Sequence, residues 1–244
     1  MKKLITLFVC FFLPVYFSSW LLNLLGHCVS RKAKIGFSIV WKTKLYLDDY
    51  ARIGHLNLIA INTLKLGKKA YIGRLNYLSG LYDINFDEHG AIGNSCVVTR
   101  APAGVSYGTS ELRLGLWSKI TANHKIDMMR SVRMGNYTTI AGSGSQIWTH
   151  GYLHGDEGLT RFRIDGEINI GNNVYIGSKC IINAGIAIAN GITIGSGSCV
   201  SKNLDQKGMY VSQPLRFFEK DYEASKARLK KVEDDSLVEQ VYTK

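Results

Sequence analysis

The chain has 244 residues, 46% hydrophobic and 20% charged, a balance that supports a packed core and excludes global disorder. With 3 prolines against 25 glycines it is no Pro-rich linker protein but a chain with many turns. A formal net charge of +11 calls for an anionic partner such as an acidic membrane face or a phosphorylated ligand; the basic residues are dispersed and match no nucleic-acid motif, so nucleic acid is not expected.

The N-terminal segment Leu4–Leu25 runs for 22 residues without a charge, long enough to span a bilayer core. Pro14, Ser18, Ser19 and Asn23 would each need satisfying in lipid. The run exceeds a usual signal-peptide core and no A-x-A-like cleavage site follows it. A helix lying in the interface, with Trp20 at headgroup level, fits as well as a span. Lys2 and Lys3 precede the segment while Arg31, Lys32 and Lys34 follow it, so charge selects no orientation. Residues 1–32 are therefore expected to form a membrane-associating helical segment of open topology. The five cysteines, 10, 28, 96, 180 and 199, form no CxxC pair, which fits a reducing compartment with buried thiols.

From residue 35 large apolar residues recur every six positions. The runs are Ile35, Trp41, Leu47, Ile53, Ile59; then Leu66, Ile72, Leu78, Ile84; Ile92, Val98; Leu114, Ile120, Ile126; Met134, Ile140, Gln146; and Ile164 through Val200. Only Gln146 is polar. Neither a helix nor a strand produces this period, and a fixed six-residue repeat signals a β-solenoid. The second residue of each hexad is often glycine (Gly54, Gly73, Gly93) and the fifth often small (Ala51, Ala70, Ser118, Thr138, Cys180).

On this pattern, [LIV]-[GAED]-x-x-[STAV]-x, residues 33–206 resemble the hexapeptide-repeat acyltransferases. The resemblance implies an all-β solenoid, a left-handed parallel β-helix of about eight coils, with an N-terminal apolar helix. Residues 207–244 then form a C-terminal turn and short helix. Phe218–Asp234 has helical composition, and the last ten residues are expected to fray.

The rhythm breaks at Arg100–Arg113, at Val132–Arg133 and at Tyr152–Arg163, and insertions at solenoid corners often carry function. Excising the last two breaks brings Asp127 and His150 to neighbouring strands of one face. The segments ITANHKID (120–127) and MGNYTTIAGSGSQIWTH (134–150) resemble those of family members that end the later coil in a histidine. By that likeness His150 is a general base that takes the proton from a sugar hydroxyl attacking acetyl-CoA, with His124 and Asp127 as further catalytic candidates. Histidine suits the role because its usual pKa lies near working pH. Asp127, Asp156 and Asp165 could hold its second nitrogen, and the glycines at 142 and 144 could offer an oxyanion donor. Asn123, Trp148 and His154 are candidate substrate contacts. Family likeness further assigns Ala184, Gly185, Ser201 and Lys202 to acetyl-CoA in a groove between subunits of a homotrimer. Arg216, in SQPLR (212–216), takes the phosphate role, with Ser212 and Leu215 departing from the family's usual glycine and alanine.

The expected function is an acetyl-CoA-dependent O-acetyltransferase acting on a sugar hydroxyl of a cell-surface polysaccharide or glycolipid precursor. The expected location is the cytoplasmic membrane face or the cytoplasm. No metal is expected. The alternatives are N-acyl transfer to an amino sugar and a non-catalytic membrane-associated scaffold. A zinc enzyme of the carbonic anhydrase γ class would need three converging histidines.

Overall fold

The computed structural model describes residues 2–12, 15–212, 222–237 and 240–244. The hexads fold as a solenoid with three faces, made of parallel sheets of eight, nine and eight strands. This is the left-handed parallel β-helix that the rhythm predicts. On the second face Ile35, Ile53, Ile72 and Ile92 stack coil upon coil, in register with Ile120, Ile140, Ile176 and Ile194. Each is 7% exposed or less. Stacking identical aliphatics fills the narrow prism at crystal-like density, so one methylene more or less would be felt.

The period is less uniform than a strict six. Strands of the first face such as Lys44–Leu47, Thr63–Leu66 and Asp83–Phe86 turn two residues inward each, for example Leu64 with Leu66 and Ile84 with Phe86. Alternate residues of an extended strand share a side, so the longer face produces the one- and two-residue slips. The Val132–Arg133 break is therefore no insertion: both residues lie in strand Val132–Met134, paired with Leu112–Leu114. Three assigned core positions are also displaced. Val40, fully buried, replaces Trp41; Ile147, 1% exposed and in register with Ile126 and Ile182, replaces Gln146. Ile164 belongs to a hairpin outside the prism.

Small corner residues link successive coils. The Asn57 side-chain amide donates to the Gly73 carbonyl at 2.9 Å, and the Asn76 amide to that of Gly93 at 2.8 Å. A Cβ on Gly93 would collide with the Thr121 carbonyl oxygen one coil on, which is why the second hexad position favours glycine.

The N-terminal segment forms two helices, α1 (Lys2–Phe12) and α2 (Val15–Leu24), packed on the first coil. Val9, Cys10 and Leu22 join the core. Asn23 is satisfied within the protein, its side chain bonding both the N–H and the carbonyl of Val29 at 2.7 and 2.9 Å. Among the described residues no helix is long and apolar enough to cross a membrane; Pro14 lies outside them. Leu4, Phe8, Trp20 and Leu24 are left largely exposed. All five cysteines are free, but Cys28 and Cys199 are exposed rather than buried.

At the other end residues 218–221 of the expected helix lie outside the described residues, and the helix ends earlier than its composition predicts. It is α3 (Tyr222–Ala227), and Lys230–Lys231 is already a strand. Nor does the whole tail fray: Val241–Thr243 pairs with Arg163–Asp165. Val241 and Tyr242 are buried, the Tyr242 ring lying 5.0 Å from Phe162. The β-branched and aromatic side chains of this stretch favour a half-buried strand.

Candidate active site

Where the chain leaves the third face after Ile147, strand His150–His154 runs out and returns as Arg161–Asp165 in an antiparallel hairpin. This is the Tyr152–Arg163 insertion. The hairpin rises beside the Arg100–Ser110 loop, which Arg100 clamps by donating to the carbonyls of Leu81, Tyr107 and Gly108. Between them lies a pocket of about 320 Å³, lined by Thr99, Arg100, Asp127, Met129, His150 and Tyr152, among others.

His150 Nδ1 lies 2.9 Å from Asp127 Oδ2. That oxygen also accepts from the Thr149 hydroxyl and, at 3.1 Å, from the Thr149 N–H. An ionised carboxylate can only accept, so the neutral imidazole carries its proton on Nδ1 and leaves Nε2 as the basic nitrogen. Burial disfavours the charged imidazole, but the hydrogen bond and charge of Asp127, with Asp165 behind, outweigh it and raise His150 above its usual value. The ring stands edge-on to Trp148 and Tyr152 at 6.1 and 5.9 Å.

Directly across the hairpin, Asp165 is opposite His150 in register. It forms a fully buried ion pair with Arg163, Nε to Oδ1 at 2.7 Å and Nη2 to Oδ2 at 3.2 Å. Burial pushes the Asp165 carboxyl up against the opposing pull of Arg163. The alternation RFRID, charged residues on a short strand, was the sequence signal for this pair. Of the three carboxylates that could hold His150, Asp127 is the one hydrogen-bonded to it, while Asp156 lies in the bend of the hairpin.

Other assigned residues lie elsewhere. His124 is 2% exposed at a different corner, where its Nδ1 accepts from Ser145 N–H at 3.1 Å and its Nε2 meets Thr121 Oγ1 at 2.9 Å. It extends the inter-coil ladder of Asn57 and Asn76, and burial lowers its pKa. It therefore does not reach the His150 pocket. Asn123 and the glycines at 142 and 144 belong to that same distant corner, where Gly144 N–H is already donated to the Asn123 carbonyl at 3.0 Å. Trp148 is half-buried, its Nε1 donating to Gln146 at 3.0 Å. His154 is exposed farther along the hairpin, its ring 6.4 Å from Tyr152. The three histidines 124, 150 and 154 thus do not converge, and among the described residues no three His, Cys, Asp or Glu side chains could hold a metal.

One coil beyond His150, the Ala184 carbonyl accepts from Lys244 Nζ at 2.9 Å, and Lys244 also packs over Gly185. Ser201 and Lys202 line an open cavity of about 570 Å³ at the end of the solenoid. Arg216 lies outside the described residues.

No family model matches the sequence, and no curated protein matches it. Similar solved structures include a maltose O-acetyltransferase from Clostridium difficile 630, 25% identical at a TM-score of 0.37 over 45% of this chain and 58% of that one. The polySia-specific acetyltransferase NeuO is 17% identical at a TM-score of 0.45 over 80% and 94%. The N-acyltransferase AntD from Bacillus cereus, in complex with dTDP and 3-hydroxybutyryl-CoA, is 16% identical at 0.37 over 88% and 95%. In its hexad pattern and its three-faced coils, this chain resembles the hexapeptide-repeat acyltransferases.

Proposed function

We propose that the chain is an acyl-CoA-dependent O-acyltransferase acting on a sugar hydroxyl, acetyl-CoA being the donor that the family resemblance favours. The observation that carries this reading is the His150–Asp127 pair in a pocket at the coil edge. Asp127 fixes the tautomer, and His150 Nε2 takes the proton of the acceptor hydroxyl as its oxygen attacks the thioester carbonyl. The same nitrogen returns the proton to the departing thiolate, so the base is regenerated. A base of this kind contributes about 10²–10⁴-fold. Arg100 lines the pocket and holds its loop wall in place through the Tyr107 and Gly108 carbonyls. Trp148, edge-on to His150 at 6.1 Å, and His154, 6.4 Å from Tyr152, stay candidate acceptor contacts in this reading.

Ser201 and Lys202 are assigned to the donor, because their open cavity offers a cation and exposed backbone to its phosphates. Ala184 and Gly185 keep that role only if the Lys244 side chain moves aside. The domain boundaries at 32 and 206, a homotrimer and attachment to the cytoplasmic membrane face through residues 1–32 belong to the same proposal. The exposed Leu4, Phe8, Trp20 and Leu24 support the attachment. Transfer to an amine would use the same base and pocket, so the test is thiol release from acetyl-CoA against glycosides, nucleotide sugars, lipid-linked sugars and amino sugars. Release with hydroxyl acceptors supports the proposal; release with amino sugars alone selects N-acyl transfer; no release with any of them refutes acyl transfer.

A further inference from the structure

A strongly basic surface groove shares no lining residue with the His150 pocket. It runs along the corner between the first and second faces, across five coils, with a volume of about 560 Å³. At the inter-strand spacing of 4.7–4.9 Å, five coils extend over roughly 20 Å. On its strand side Lys34, Arg52, Tyr71 and Lys119 occupy one register line, with Ala91 between the last two. Along the corner Tyr50, Lys69, His89 and Trp117 follow one another, each held at φ between 57° and 61°. Backbone bonds from Lys69, His89 and Trp117 to the preceding corner fix this column.

Cations and rings alternate there. The Arg52 guanidinium lies 5.4 Å and the Lys119 ammonium 5.9 Å from the Tyr71 ring centroid, and His89 stacks on Trp117 at 3.7 Å. Tyr50 and Trp117 remain 50% and 54% exposed. Among the described residues no carboxylate lines the groove. Asp49 is bonded to Lys32 at its rim, and Glu88 is 3.7 Å from His89, but Lys34, Arg52, Lys69 and Lys119 have no ion pair among the described residues. Such a row of like charges disfavours burial against a second copy of the chain. Flat exposed rings between fixed cations suit a polymer that offers an apolar ring face and an anion by turns.

We propose that this groove binds an acidic polysaccharide, its sugar faces on the exposed Tyr50 and Trp117 rings and its carboxylates or phosphates on Arg52, Lys69 and Lys119. This rests on the reading of the chain as a sugar acyltransferase, and it makes the groove a holding site for polymeric acceptors, separate from the pocket where transfer occurs. Binding is tested without turnover, by fluorescence anisotropy with labelled polygalacturonate against labelled dextran, vesicles of phosphatidylcholine with phosphatidylserine, and poly(dT). The expected result is polygalacturonate binding that weakens with salt and no binding of dextran. The R52Q/K119Q double variant and, separately, Trp117→Ala should each weaken it about tenfold or more at unchanged thermal midpoint and unchanged oligomeric mass. His150→Ala should bind like the unmodified protein, which separates failure of this inference from failure of the catalytic reading. Equal binding of dextran, preference for vesicles or poly(dT), variants that bind normally, or variants that change the oligomer would overturn it.

Discussion

Replacing Asp127 by asparagine isolates the electrostatic part of the proposed site. The substitution keeps a side-chain oxygen for the Thr149 N–H, whose bond to Asp127 is 3.1 Å, but removes the negative charge 2.9 Å from His150 Nδ1. For a metal-bound imidazole the group on its second nitrogen typically contributes about 10–100-fold, and a similar share here is about 1.4–2.8 kcal/mol of transition-state stabilisation. Only a base in its neutral form can work, so activity rises with pH as His150 loses its proton. Asp127 is the leading cause raising that pKa, and the acidic limb of kcat/KM should therefore move to lower pH in Asp127→Asn. The same linkage acts on stability with a definite sign. Because the folded imidazole titrates above its usual 6.5, its contribution is fully present below that value and lost as pH rises past the folded value. The difference in thermal midpoint between the two proteins should accordingly be larger near pH 5.5 than near pH 8. The assays are kcat/KM for thiol release from pH 5 to 9 and thermal melts over the same range. An acidic limb that stays in place, with an unchanged maximum, would refute the pairing as the origin of the base.

Three further outcomes follow from the packing. Ile147→Ser should cost about 2–5 kcal/mol by urea unfolding, as a buried aliphatic truncated in a rigid prism does, whereas Gln146→Ser should stay within about 0.5 kcal/mol; the reverse order would restore Gln146 to the core. Arg163→Met should cost about 3–5 kcal/mol by leaving buried Asp165 uncompensated, and the R163M/D165N pair should recover part of that loss. His124→Asn, which places in the ladder the residue already found at positions 57 and 76, should leave kcat/KM within about twofold, and a loss comparable to that of His150 variants would return His124 to the catalytic set.

The solenoid was legible because one aliphatic per hexad must point into a narrow prism, and that demand writes a period into the sequence that neither helix nor sheet would write. What blurred it was the longer first face. A strand with two inward residues looks like a phase slip, so Ile84 seemed to replace Phe86 and Val132–Arg133 seemed inserted. The shift from Ile147 to Gln146 has a similar local cause: the pairing of Lys119–Ala122 with Thr139–Ser143 is irregular, Ala122 matching Ser143. In the site, the nearness of Asp127 and His150 could be counted from the coils. The placing of Asp165 opposite His150 could not, because hairpin partners depend on where the bend falls. His124 illustrates the opposite failure: in sequence it resembles a catalytic candidate, and only its two ring bonds identify it as a rung between coils. The C-terminal strand was hidden for a third reason, since a three-residue strand has no periodicity to read and forms only where a partner edge exists.

The most direct test of the central claim compares the unmodified protein with His150→Ala for thiol release from acetyl-CoA, using whichever sugar acceptor supports turnover. A fall in kcat of about 10²–10⁴-fold, with the fold intact by circular dichroism and partial recovery on adding free imidazole, is the result expected of a general base. Undiminished release from a folded His150→Ala protein would contradict it.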